Sequence, residues 1–149
     1  SLAGAEGGCE GVREVPVSVA RAASQCPLPG EEPSVVLVTD AEGWRTAFPP
    51  LPGAVASEAP ADFGREVVVV IGMGRRPTGG YAVELARPAA AVKDGIAAIQ
   101  VAFRSPPPDA MTTQALTSPC LAVRLPREGV REVRIADERS RPVASAPLR

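Results

Sequence analysis

Any chemistry in this chain must be done without imidazole, because its 149 residues include no histidine. Ser-His and Cys-His nucleophile pairs and imidazole metal sites are therefore excluded. Lys93 is the single lysine, and it stands in a Lys93-Asp94-Gly95 turn, exposed rather than desolvated. A Ser-Lys dyad is thereby disfavoured. Seventeen acids offer many carboxylate pairs, yet no motif selects one for acid–base work. Three cysteines spread along the chain, with no histidine to support them, do not form a zinc pattern. Gly72-x-Gly74 with Gly79-Gly80 lacks both the spacing of a phosphate loop and the helix that must follow one. No catalytic residue, metal or cofactor is expected.

What remains is contact chemistry. Arg75-Arg76-Pro77-Thr78-Gly79-Gly80-Tyr81 places two guanidinium groups and a phenol on a turn stiffened by proline and glycine. Such a turn loses little entropy on binding, and Arg and Tyr are favoured interface anchors. The bland alternative is that Pro and Gly only make the reversal, with the arginines solvated and Tyr81 packed inward. Met111-Thr112-Thr113-Gln114 is a second candidate contact, since methionine and hydroxyls make adaptable surfaces. Its alternative is a set of Ser/Thr side chains satisfying their own loop backbone. Nucleic acid is an unsuitable partner: net charge is −1, and three Phe, one Tyr and one Trp cannot build a stacking platform.

The elements that position these loops are strands. After Glu66, Val67 to Ile71 is a continuous apolar run closed by Gly72, which reads as a strand buried on both faces. Tyr81, Val83 and Leu85 alternate with smaller or polar residues as a returning strand. The same alternation predicts strands over Arg13–Arg21, around Ile99–Phe103, at Leu121–Leu125 and, last, at Val133–Ile135. Lys93-Asp94-Gly95 marks a hairpin turn. Val35–Val38 runs into one short helix, for which Thr39 and Glu42 have capping-box spacing and Trp44 is the docking anchor. The fold class is mainly β (α+β): an antiparallel sheet of about five or more strands with one short covering helix.

Seventeen prolines and fourteen glycines fit many turns, and 45% hydrophobic residues suffice for the core of one domain over 1–149. Residues 1–11 and 138–149 are expected to be mobile tails. Charge is uneven, with ten acids against four arginines up to Glu66 and seven acids against twelve bases beyond it. No apolar run is long enough to span a membrane. Cys9 and Cys26 flank a strand-like segment and are expected to form a disulfide, with Cys120 a small core hydrophobe. A disulfide implies an oxidising compartment, hence export to the periplasm or beyond, with the leader absent from this sequence.

Gly74-Arg75-Arg76-Pro77-Thr78-Gly79-Gly80-Tyr81, then Met111-Thr112-Thr113-Gln114-Ala115-Leu116-Thr117-Ser118-Pro119 and Val123-Arg124-Leu125-Pro126, resembles the C-terminal domain of the PrcB protease-complex subunit family. The resemblance covers about 62–127. It implies a non-catalytic exported protein that accompanies and stabilises a secreted protease. Pro77-Thr78-Gly79-Gly80-Tyr81 is also similar to the cleft-inserting loop of chagasin-type cysteine-protease inhibitors. Two function classes follow: an accessory subunit of a protease, or a protease inhibitor acting through the Arg75–Tyr81 loop.

Overall fold

The computed structural model describes residues 12–26, 28, 30–49, 60–112 and 114–148. These form ten strands and one helix: β1 Val12–Pro16, β2 Ser18–Ala23, β3 Ser34–Val38, α1 Ala41–Ala47, β4 Glu66–Gly72, β5 Ala82–Leu85, β6 Ala89–Lys93, β7 Ile96–Arg104, β8 Cys120–Pro126, β9 Glu132–Ala136 and β10 Pro142–Pro147. The strands divide into two sheets. One runs β2-β8-β4-β3; the other runs β1-β6-β7-β9-β10, with β5 also pairing β7. All pairings are antiparallel except β7 with β9. The protein is mostly β with one short helix, as the alternation predicts, but the strands are shared between two layers.

The continuous apolar run finds its reason in β4. Val67, Val69 and Ile71 face the other sheet, packed among Val92, Ile99, Val101, Val133 and Ile135. Val68 and Val70 face the opposite way, toward Trp44 and Phe48 of the helical layer. Side chains alternate across a strand, so a strand covered on both faces must be apolar at every position. Its neighbour β8 does the same, with Leu121, Val123 and Leu125 inward and Cys120 and Ala122 under the helix. Each fully buried Val or Leu here contributes on the order of 1.5–3 kcal/mol.

Helix α1 starts one residue later than the capping-box spacing suggests. Asp40, not Thr39, is the N-cap, its carboxylate accepting the Gly43 N–H at 2.7 Å. Trp44 and Phe48 are buried with ring centres 4.5 Å apart, so Trp44 is the anchor that docks the helix on the sheet. The β6–β7 turn follows its residues: Asp94 and Gly95 both have positive φ (53° and 79°) and join Lys93 to Ile96.

Three expectations are corrected. Arg13–Arg21 is not one strand: the chain breaks at buried Val17, whose N–H donates to Pro88 O at 2.9 Å, and β1 and β2 join different sheets. β4 and β5 are not hairpin neighbours, because β5 lies in the other sheet on β7. The Val133–Ile135 strand is not the last: β10 pairs with β9 inside the stretch where a mobile tail is expected. The sequence hides β10 because its residues are half-exposed, with proline at both ends.

The β9–β10 turn is closed by Asp137, whose carboxylate accepts the N–H groups of Arg139 (2.8 Å) and Arg141 (2.9 Å). The Arg141 bond, seconded by that of Arg139, holds the carboxyl below its ordinary value of 3.8. A depressed pKa gives stability present above the ordinary value and lost as pH falls through the folded one. The melting-temperature gap between wild type and Asp137→Asn should therefore be open at neutral pH and close in acid below that ordinary value. A gap of constant size would contradict the assignment.

Candidate functional site

Both loops singled out by their residue types lie at one end of the sandwich. There β2 and β4 end and β8 begins, since Cys120 pairs with both Ala23 and Gly72. The chain after β4 crosses to the other sheet through Met73–Tyr81, and the chain after β7 crosses back through Ser105–Pro119. An isolated antiparallel bridge joins these two crossings. Arg76 N–H donates to Thr117 O at 2.7 Å, and Thr117 N–H returns a bond to Arg76 O at 2.9 Å. Buried Thr117 also donates its hydroxyl to Thr78 O at 2.8 Å. Met73 N–H donates to Pro119 O at 3.0 Å. The chain after β2 completes the base: Arg75 N–H donates to Gly30 O, Cys26 N–H to Ser118 O, Ser118 N–H to Ser24 O, and the Gln25 amide to Leu116 O.

Backbone conformation makes the crossing tight. Gly74 has φ +92°, and a Cβ there would sit 2.4 Å from Glu31 O. Gly80 has φ +91° and packs against Pro106 and Thr112. Only glycine meets both demands.

The two arginines differ. Arg75 is exposed. Arg76 is half-buried, donating Nη2 to Met73 O at 2.9 Å with its guanidinium carbon 5.9 Å from the Tyr81 ring centre. Its Nε is buried without a hydrogen-bond partner. Tyr81 is half-buried against the inter-sheet core, so its ring is chiefly a packing element. Tyr81→Ala should lower stability by about 2 kcal/mol in urea unfolding, less than a fully buried ring would lose. An unchanged midpoint would show the ring unpacked in solution.

Of the second loop, Met111 is fully exposed, Thr112 half-buried and Gln114 exposed, its amide bonded to Thr112 O at 3.2 Å. Thr113 lies outside the described residues. Sequence reading passed over Leu116, which is 60% exposed beside Arg76 and Pro77 in an open depression that Glu31 and Arg75 also line. An apolar residue inside a polar loop was the available signal.

The disulfide differs from expectation. Cys26 bonds Cys120, with Cα atoms 6.1 Å apart, so the Cys9–Cys26 pairing is not formed and Cys120 is not a free core thiol. Cys9 itself lies outside the described residues. Spacing along the chain favoured the nearer pair; the β2–β8 register, which sets Ala23 against Cys120, brings the distant one together.

Residues 67–126, which hold β4 to β8 and both crossing loops, match the family model described as PrcB C-terminal. This part of the chain, well under half of its length, is similar to the PrcB C-terminal family. No curated protein and no solved structure matches the chain. The matched segment contains Arg75, Arg76, Thr117 and Cys120, while Cys26 and Gly30, which bond to it, lie outside. No helix among the described residues is long and apolar enough to cross a membrane.

Proposed function

We propose that this protein is a non-catalytic, exported accessory subunit of a protease complex, docking through the Arg75–Tyr81 and Met111–Leu116 loops. The observation carrying the reading is the Arg76–Thr117 bridge, which makes one braced surface of two loops inside the PrcB-like segment. That surface presents an exposed arginine, Pro77, Leu116 and Met111. A surface already ordered before contact keeps more of its binding energy. Exposed apolar side chains beside arginine suit a protein partner. Non-catalytic action is favoured by the missing histidine and the single turn-borne lysine. Export is favoured by the Cys26–Cys120 bond, which persists in oxidising compartments.

The second reading, an inhibitor, is favoured by the Pro77–Tyr81 turn standing at the tip of the sandwich. A protease recovered with the chain from its native secreted fraction separates the two. As an accessory subunit, the chain leaves turnover intact and lengthens the protease's lifetime; as an inhibitor, it lowers turnover in proportion to occupancy. Arg75→Ala/Arg76→Ala should weaken the complex by about 1–3 kcal/mol. A double variant that binds as tightly as wild type would sink both readings.

A further inference from the structure

Carboxylates pair with Arg65, Arg87, Arg104 and Arg134, but no described carboxylate lies within 4.0 Å of a side-chain nitrogen of Arg75 or Arg76. Two guanidinium groups on adjacent residues repel each other and gain from an anion placed between them. Here the Arg75 backbone and the Arg76 side chain are fixed beforehand. The Arg75 backbone is tied to Gly30 O at 3.1 Å, and Arg76 is held by Met73 O and stands over Tyr81. Both line the open depression they share with Pro77, Leu116 and Glu31. Leu116 and Pro77 give it an apolar wall exposed to solvent.

We infer that this depression receives a carboxylate carried next to an apolar side chain on the protein partner. The carboxylate is an Asp or Glu side chain beside a residue such as Leu, because the depression is open and a continuous chain can pass across it. The inference rests on the contact reading above and specifies what the partner presents. The arginines supply charge-assisted hydrogen bonds, and Leu116 and Pro77 cover the neighbouring apolar group. Glu31 leaves the pair of arginines a net charge of one, and exposed Glu32 stands next to it in sequence. A single carboxylate is therefore accepted, whereas a polyanion such as nucleic acid or an anionic lipid surface meets repulsion.

The test uses isotope-labelled full chain and three synthetic probes, followed by the backbone amide signals of Arg75, Arg76 and Leu116. The probes are acetyl-Gly-Asp-Leu-Gly-amide, acetyl-Gly-Gly-Leu with a free carboxylate, and acetyl-Gly-Asn-Leu-Gly-amide. The Asp probe should shift those signals saturably while the Asn probe does not, and binding of the free-carboxylate probe alone would overturn the Asp/Glu assignment. Arg75→Gln, a change at an exposed side chain, should weaken that binding roughly tenfold, as should Arg76→Gln, and added salt should weaken it further. If Arg76→Gln disturbs the free spectrum, Arg75→Gln alone decides. Equal shifts from the Asn probe, or no saturable shift with the Asp probe, overturn the inference. Mapping a captured protease onto the same signals keeps the two ideas apart. A partner that binds these loops equally well after its contacting carboxylates are neutralised ends the inference and leaves the contact reading standing. A partner that perturbs none of the loop signals ends the contact reading.

Discussion

Cys26→Ala/Cys120→Ala should lose about 4–5 kcal/mol of stability relative to the oxidised wild type, by the chain-entropy estimate for a long loop. The two residues are 94 apart in sequence, so the bond removes much of the freedom of the unfolded chain. Its effect on the native side is local. Cys26 N–H bonds Ser118 O and Cys120 opens β8, so the bond ties the chain after β2 to the root of the Met111–Pro119 loop. Urea unfolding of both forms measures the loss, and the slope should steepen in the variant because its unfolded chain is no longer cross-linked. Amide exchange should speed first at Thr117 and Arg76, before the β4–β8 ladder opens. A loss below about 1 kcal/mol would show that the unfolded state is already constrained there.

Gly74→Ala should lose about 3 kcal/mol or more, because a strained positive φ and a backbone overlap act together. The new Cβ would lie 2.4 Å from Glu31 O and 2.6 Å from Glu31 C, and a backbone carbonyl cannot swing aside like a side chain. Gly30 supplies the control. It has φ +96° with nothing within 4 Å of a built Cβ, so Gly30→Ala should carry only the conformational strain, about 1–2 kcal/mol. Thermal melts of the two variants separate overlap from strain. Equal losses would mean that Glu31 yields, and Gly74 would then be no more than a turn residue. Relief of the overlap requires Glu31 to move away from Gly74, and Glu31 lines the same depression as Arg75, so the surviving Gly74→Ala protein should also bind carboxylate probes less tightly.

Strands were legible where one local rule determined the outcome. The Val67–Ile71 run could only be a strand covered on both faces, and Asp94-Gly95 could only be a tight hairpin turn. Sheet membership was not legible, because alternation tells which residues face inward but not which layer they face. That is why Tyr81–Leu85 looked like the return of β4, although β5 pairs with β7. The contact loops were visible as arginine, proline and glycine, yet the residue that joins them was not. Thr117 looked like any threonine of a polar loop; only the pairing with Arg76 and Thr78 makes it the joint. The disulfide partner of Cys26 was hidden for the same reason, being set by a register across ninety-odd residues rather than by neighbourhood.

The pairing of β8 with β2 and of β4 with β3 also bears on whether the family segment can be excised. Residues 67–126 carry both middle strands of the four-stranded sheet but neither of its flanking strands. Cut out alone, the segment would present two bare, nearly all-apolar edges, Val67–Ile71 and Leu121–Leu125. Such edges recruit further strands and seed aggregation. The cut would also leave Cys120 as an unpaired thiol at the end of one of them, open to cross-linking between chains. In this chain, then, the recognisable sequence unit is smaller than the piece that covers its own sheet edges, and the residues before it act as its built-in edge protection.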